Sequence, residues 1–245
     1  MKALILNSGL GHRMGDITKT HPKCMTEIPV NDTIISRQLK LLLQAGIKDI
    51  VITTGYFDQI LINYCNSLNL PLNIKFVNNP LYDKTNYIYS IYCAKGELDD
   101  DIILMHGDLV FEDIVLTDIL KEKNSCMKVS STIPLPEKDF KAAVRNGRVY
   151  AIGVEFFDET VEAQALYKLN RTDWKKWLNK IVEYCEKDKC NCYAETAFNE
   201  ISNDCAIHAF DVKDALCAEI DNPEDLEKVS AKLKSLLNKQ LVKER

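Results

Sequence analysis

The feature that most narrows the fold lies at the start of the chain: Leu4-Ile5-Leu6-Asn7-Ser8-Gly9-Leu10-Gly11-His12-Arg13-Met14-Gly15, closing at Pro22-Lys23. Ala3 to Leu6 reads as a buried strand, and it opens directly into a loop with two glycines, an arginine and a later lysine. Glycines let the backbone approach phosphate oxygens, and successive backbone N–H groups form an anion-binding nest. Arg13 and Lys23 supply the positive charge that a triphosphate requires. The opening therefore points to a nucleoside triphosphate.

Two look-alikes are excluded. A P-loop ends in Gly-Lys-Ser/Thr, which is absent here. A dinucleotide fingerprint is Gly-x-Gly-x-x-Gly running straight into a helix. Met14 stands where its third glycine belongs, and Asp16 to Pro22 reads as an extended loop. Gly-x-Gly-x-Arg followed by Pro-Lys instead resembles the signature of nucleotidyltransferases, which attach a nucleotide to a phosphorylated small molecule.

The 245 residues fit a single domain over 1–245. The expected division is a nucleotide-binding half (about 1–132), an acceptor-binding half (about 133–220) and a C-terminal helix over 222–242. The net charge of −5, with both signs interspersed, argues against a nucleic-acid partner. No run approaches the roughly 18 apolar residues of a membrane span. Met1-Lys2-Ala3 enters a strand directly, so no signal peptide is read. Nine scattered cysteines suit reduced thiols and a cytoplasmic location. Cys185, Cys190 and Cys192 do not have zinc-site spacing. A homodimer is the expected assembly for a soluble enzyme.

Strand-like and helix-like segments alternate through the first half, which predicts an α/β fold with a mixed, mostly parallel sheet flanked by helices. Strands are expected at Lys48 to Thr54, Leu72 to Val77, Ile102 to Met105 and Cys126 to Thr132. Ile35, Leu39 and Leu42 fall at helical spacing, as do Phe57, Ile60, Leu61 and Tyr64. Tyr87 to Ala94 reads as a short helix. Ala142 to Val154, with Asn146-Gly147 at its middle, reads as a hairpin. Thr172 is the expected cap of a helix carrying Trp174, Trp177, Leu178 and Ile181. The last helix starts at Asn222-Pro223 and places Leu226, Val229, Leu233 and Leu236 on one face.

Nucleotidyl transfer joins two anions, so its catalysis is positioning and charge neutralisation. Mg²⁺ held by one or two carboxylates is the usual means. Asp108 ends a buried strand as His106-Gly107-Asp108 and is the first candidate; its bland reading is a turn aspartate. Asp221, in Glu219-Ile220-Asp221-Asn222-Pro223-Glu224-Asp225, is the second; its bland reading is a helix N-terminus. Asp99, Asp100 and Asp101 read as a solvated turn.

Taken together, the opening loop, Asn86-Tyr87-x-x-Ser90, Gly107-Asp108 and Glu219-Ile220-Asp221-x-Pro223-Glu224-Asp225-Leu226 resemble the bacterial phosphocholine cytidylyltransferases and their relatives acting on phosphonates. The resemblance spans nearly the whole chain and implies a Rossmann-like nucleotidyltransferase fold. It implies that Asp108 and Asp221 hold Mg²⁺ and that Arg13 and Lys23 grip the triphosphate. Leu6, Asn7, Ser8, Gly9, Gly11, Asn79, Thr85, Asn86, Ser90 and Asp108 would bind CTP. Asn7-Ser8 departs from the family's usual two alanines and would add a base or ribose contact or alter acceptor access.

The second half lacks a recognisable aromatic box for trimethylammonium. It carries Pro134 to Lys141, Gly153-Val154-Glu155-Phe156-Phe157, Lys168 and Ala194-Glu195-x-Ala197-Phe198-Asn199-Glu200. This pattern is similar to the cytidylyltransferases of capsule phosphoramidate biosynthesis, which use L-glutamine phosphate. Lys138, Lys141, Glu155, Lys168, Glu195 and Asn199 would then receive a zwitterionic acceptor. Phosphocholine or an aminoethyl- or hydroxyethylphosphonate is the alternative acceptor. A CTP-binding regulator without turnover is the alternative of another class.

Overall fold

β1 (Lys2–Leu6) is buried because it is flanked on both sides by strands of the same apolar character. The structure, a computed structural model, describes residues 1–29, 31–155 and 159–243; Phe156 and Phe157 lie outside the described residues. In chain order there follow β2 (Glu27–Ile28), β3 (Asp32–Thr33), α1 (Ile34–Gln44), β4 (Asp49–Thr54), α2 (Asp58–Ser67), β5 (Asn73–Asn78), α3 (Tyr87–Ala94), β6 (Ile102–His106), β7 (Leu109–Phe111) and α4 (Asp113–Ile119). The second half holds β8 (Cys126–Ser130), β9 (Lys141–Arg145), β10 (Arg148–Gly153), β11 (Thr160–Leu169), α5 (Arg171–Glu186), α6 (Ala194–Ile201), β12 (Ile207–Asp211), β13 (Cys217–Glu219) and α7 (Pro223–Lys243).

One mixed sheet runs β5-β4-β1-β6-β11-β8-β12-β10-β9. Its first four strands are parallel, and Leu6 pairs with His106, so the ends of β1 and β6 lie level. β11 then runs antiparallel to β6, and most pairings beyond it are antiparallel. A cluster of buried apolar side chains covers each face of the sheet. Such a sheet binds ligands beyond the carboxyl ends of its parallel strands.

Three local devices shape that edge. β7 and β13 form a short antiparallel ladder pairing Leu109 with Glu219. The Ile220 N–H then donates to the Asp108 carbonyl at 3.0 Å, which delivers Asp221 beside Asp108. α7 turns its Leu226, Val229, Leu233 and Leu236 face onto a third apolar cluster containing Met14, Ile28 and Ile220. Met14, where a dinucleotide loop would have glycine, is thus the peg that fastens the opening loop.

Several expectations need correction. The opening loop is not extended through Thr18 but wound into 3₁₀ turns over His12–Thr18, with Gly11 and Gly15 at positive φ. Ile60 is exposed, and α2 buries Leu61 and Cys65 instead. Thr172 does not cap α5. Asn170 precedes its first turn, and the free N–H of Arg171 donates to Asp101 Oδ1 at 2.6 Å. Asp99 pairs with the Arg171 guanidinium and Asp100 with the N-terminal ammonium. The acidic turn, with Asp99 solvent-exposed as read, also sits at the positive end of α5. β11, not anticipated, is the strand that joins the two halves of the sheet.

Candidate active site

A cavity of about 480 Å³ opens at the level ends of β1 and β6, within the range of small-molecule sites. Leu6, Asn7, Ser8, Gly9, Gly11 and Arg13 line one wall, and Lys23 rises from the turn after Pro22. Asn79, Thr85, Asn86 and Ser90 line the same cavity, as do Asp108 and Asp221. The fold thus brings together every residue named above for nucleotide, triphosphate or metal.

The nucleotide-side wall is organised by Asn79, which is 1 % exposed. Its Oδ1 accepts from the Leu81 N–H at 2.8 Å; its Nδ2 donates to Thr85 Oγ1 and Ser90 Oγ at 3.2 and 3.0 Å. Asn86 caps α3 by accepting from the Tyr87 N–H, while its own N–H donates to the Cys190 carbonyl. Opposite, Ser8 leans so close to Gly55 that a Cβ there would meet the Ser8 carbonyl oxygen at 2.4 Å.

The charged centre is compact. Lys23 Nζ lies 2.5 Å from Asp108 Oδ2 and 2.6 Å from Asp221 Oδ1, and Arg13 Nη2 lies 2.9 Å from the same Asp221 oxygen. Burial disfavours the Lys23 ammonium, but the two carboxylates outweigh it and raise its pKa. Burial likewise opposes the Asp108 carboxylate, yet Lys23 and His106 hold its pKa below the usual range.

Asp108 Oδ1 is buried and has no hydrogen-bond partner among the described residues. An orphaned carboxylate oxygen beside a second aspartate, with an ammonium already drawn between them, is the donor set of a hard divalent cation. The residues present therefore fit a magnesium ion held by Asp108 and Asp221.

Sequence reasoning missed the other inhabitants of this edge: His106, Tyr82, Tyr87 and Asn191 line the cavity. His106 Nδ1 lies 2.8 Å from Glu219 Oε1. Burial opposes the charge on His106, but Glu219 and Asp108 raise its pKa to about 9. Burial and Asp108 push the Glu219 carboxyl up. One ligand atom each from His106, Asp108 and Glu219 lies within 4.8 Å of the others. The available signal was the register: His106 stands opposite Leu6 at the glycine loop.

The acceptor set is less coherent. Lys168 pairs with Ile103, toward the far end of β6, and its amine is held by Asn170 Oδ1 and the Lys123 and Asn124 carbonyls. It lies away from the cavity because β11 runs antiparallel to β6. Asn199 clamps the N–H and carbonyl of Ile152 at 2.8 Å each. Lys141 is buried, its amine donating to the Asp139 and Val154 carbonyls. Glu195 is buried beneath the cavity, where it accepts from the hydroxyls of Tyr87 and Tyr167. None of these four side chains lines the cavity. Lys138 and Glu155 are exposed on the two loops that Lys141 ties together. Asp139, on the first of these loops, has a raised pKa through burial and then the charges of Asp221 and Asp225. No helix among the described residues is long and apolar enough to cross a membrane.

A profile of the MobA-like NTP transferase domain matches residues 3–126. The chain is 31% identical over 206 residues to CTP:phosphoglutamine cytidylyltransferase of Campylobacter jejuni, covering 76% of this chain and 78% of that one. It is 34% identical to 2-aminoethylphosphonate cytidylyltransferase of Lancefieldella rimae over 45% of this chain and 44% of that one. The solved structure of CTP:phosphocholine cytidylyltransferase from Streptococcus pneumoniae superposes with a TM-score of 0.76 at 20% identity, covering 95% of this chain and 98% of that one. The last similarity establishes the Rossmann-like nucleotidyltransferase fold.

Proposed function

The chain belongs to the MobA-like NTP transferase domain family, and from that premise we propose its reaction: transfer of CMP from CTP to L-glutamine phosphate, giving CDP-L-glutamine and pyrophosphate. It is a nucleotidyltransferase of the cytidylyltransferase type, acting on a phosphorylated acceptor. The observation that carries the choice of acceptor is the reach of the similarity. The phosphoglutamine relative matches 76% of the chain, which takes the match well into the second half. The aminoethylphosphonate relative matches 45%.

In this reading the Gly9–Gly11 backbone, Arg13 and Lys23 bind the triphosphate. Asn79 fixes the segment of Thr85, Asn86 and Ser90 against the nucleoside. Asp108 and Asp221 would hold Mg²⁺, which when bound supplies Lewis-acid neutralisation of the phosphates. Lys23 keeps the two carboxylates compensated in its absence. An acceptor phosphate is already anionic, so its oxygen attacks the α-phosphorus without a general base. The amino-acid end of the acceptor is assigned to the loops bearing Lys138 and Glu155. The reading places the reaction in a capsule-modifying, phosphoramidate-forming sequence.

One observation favours phosphocholine instead. The rings of Tyr87, Phe140 and Tyr193 pack together beside His106, and aromatic faces attract quaternary ammonium groups. Pyrophosphate release with CTP and Mg²⁺ against L-glutamine phosphate, phosphocholine, 2-aminoethylphosphonate, 2-hydroxyethylphosphonate and a sugar 1-phosphate tests the proposal. The expected result is fastest release with L-glutamine phosphate. Preference for another acceptor overturns that choice, and CTP binding without turnover on any acceptor returns the sensor reading.

A further inference from the structure

We propose that His106 is an acceptor-binding residue, its Nε2 hydrogen-bonding the phosphate group of the acceptor. The inference rests on the nucleotidyl-transfer reading and adds a contact that neither the motifs nor the similarities assign.

Nε2 of His106 is buried at the cavity and has no partner among the described residues. A buried nitrogen left without a partner is costly, so its presence in a cavity wall points to a ligand. The ring is held in place from three sides. Nδ1 is fixed by Glu219 at 2.8 Å. Tyr87 meets the ring edge-on, with centroids 4.8 Å apart, and the Tyr87 hydroxyl is anchored on the buried Glu195. Phe140 lies beyond, at 6.4 Å. Such triple support is more than a packing histidine needs, and it fixes the direction of Nε2.

The geometry also fixes which ring nitrogen meets the ligand. Nδ1 is taken by Glu219, which leaves Nε2 as the atom open to the cavity. An imidazole N–H there donates to a phosphate oxygen.

The acceptor is favoured over the triphosphate by position. Arg13, Lys23 and the glycine loop already serve the triphosphate side. His106 instead faces Tyr87 and Phe140, on both of which Tyr193 packs; Phe140 and Tyr193 come from the second half of the chain. An acceptor phosphate arriving there meets Asp108, Asp221 and Glu219, so one donor aimed at it offsets their repulsion. In the reaction, an acceptor oxygen forms a bond to the α-phosphorus of CTP. The bond from that phosphorus to the bridging oxygen breaks, and pyrophosphate leaves with the electron pair. His106 exchanges no proton; it holds an oxygen that does not attack.

Two variants test this: His106→Phe, which keeps the ring packing, and His106→Gln, which restores a donor. Hydrogen bonds to charged groups predict a rise in acceptor KM of roughly 10- to 100-fold in His106→Phe, with partial recovery in His106→Gln. The affinity for Mg·CTP without acceptor, read by calorimetry, is expected to change less than about 3-fold. A loss of Mg·CTP affinity as large as the rise in acceptor KM would instead make His106 a nucleotide or metal residue and overturn the proposal. An unchanged acceptor KM would overturn it as well. Inorganic phosphate titrated into the CTP-loaded protein gives a readout that needs no turnover. Weaker phosphate binding in His106→Phe supports the contact even where every panel acceptor fails, whereas equal binding refutes it.

Discussion

The carboxamide of Asn7 occupies the space that Gly107 leaves empty. A Cβ on Gly107 would stand 1.6 Å from Oδ1 of Asn7 and 2.3 Å from its Cγ. Asn7 and the glycine before Asp108 therefore form one packing unit. Gly107→Ala is expected to destabilise the protein by about 1–3 kcal/mol, the usual range for overpacking. It should also reduce turnover by displacing Asp108. Truncating the partner in the Asn7→Ala/Gly107→Ala double variant should restore much of both, a non-additivity of about 0.5–3 kcal/mol. Chemical denaturation of the four proteins measures it. Strictly additive losses would show that the two side chains do not share the space.

Gly55 offers a control. Its would-be Cβ meets the backbone carbonyl of Ser8 at 2.4 Å, not a side-chain end. Gly55→Ala should therefore displace the opening loop and weaken CTP binding, and truncating Ser8 to Ala should bring no relief. Calorimetric titration of CTP into Gly55→Ala and Ser8→Ala/Gly55→Ala checks this. Recovery in the double variant would contradict the backbone clash.

That the opening loop, Lys23, Asp108 and the Asn79–Ser90 segment would share one cavity was legible in the sequence, because the signals are local. Strand ends, glycines and the order of Arg13, Pro22, Lys23 and Asp108 survive without knowledge of the packing. The acceptor side was less legible, because residue type does not show that a charge is already engaged. Lys141 and Lys168 read as ligands by type, yet the Asp139 and Val154 carbonyls hold the first amine, and Asn170 Oδ1 with the Lys123 and Asn124 carbonyls holds the second. β11 escaped for the same reason. Glu162, Gln164 and Lys168 interrupt its apolar pattern, and only partners elsewhere, such as Lys128 for Glu162, make their burial possible. His106 was hidden because a histidine before Gly-Asp carries no signal until Glu219 is brought to it by the β7–β13 ladder.

Removal of the metal gives a direct test of the carboxylate pair. Excess EDTA is expected to abolish pyrophosphate release, and added Mg²⁺ to restore it. Asp108→Asn and Asp221→Asn should each lower kcat by about 10²-fold or more, the scale of losing a charge-stabilising group. Melting temperatures should stay near the parent value, since Lys23 retains one carboxylate partner in either variant. Unchanged turnover in either variant would remove that aspartate from the site.

The buried pair of Lys128 and Glu162 supports the second half from within the sheet. Lys128 is fully buried, Glu162 is almost so, and Gln164 Nε2 donates to the other Glu162 oxygen at 3.0 Å. Lys128→Met strands a carboxylate and should cost about 3–5 kcal/mol, whereas Lys128→Met/Glu162→Leu should be close to neutral. Urea unfolding of both variants separates the cases. An equal loss in the two would mean that packing volume, not the unpaired charge, sets the penalty.

Asn79 tests whether the nucleotide-side wall works as a unit. Its one side chain holds the Leu81 N–H, Thr85 Oγ1 and Ser90 Oγ from a position shut off from solvent. Asn79→Ala leaves a backbone donor and two hydroxyls without that partner, and each buried group so stranded costs about 1–3 kcal/mol. Asn79→Asp keeps the acceptor for Leu81 and presents one to the Ser90 hydroxyl, whereas the Thr85 hydroxyl already donates to the Leu81 carbonyl, so the network is re-formed in part and with a buried charge beside the nucleoside. Both variants should bind CTP more weakly, Asn79→Ala by loosening the wall and Asn79→Asp by adding negative charge. The distinguishing readout is pH: lowering it, which neutralises the introduced carboxyl, should recover CTP affinity relative to the parent in part for Asn79→Asp and not for Asn79→Ala. If both respond alike, the wall is held by α3 packing alone and Asn79 is a passenger in it.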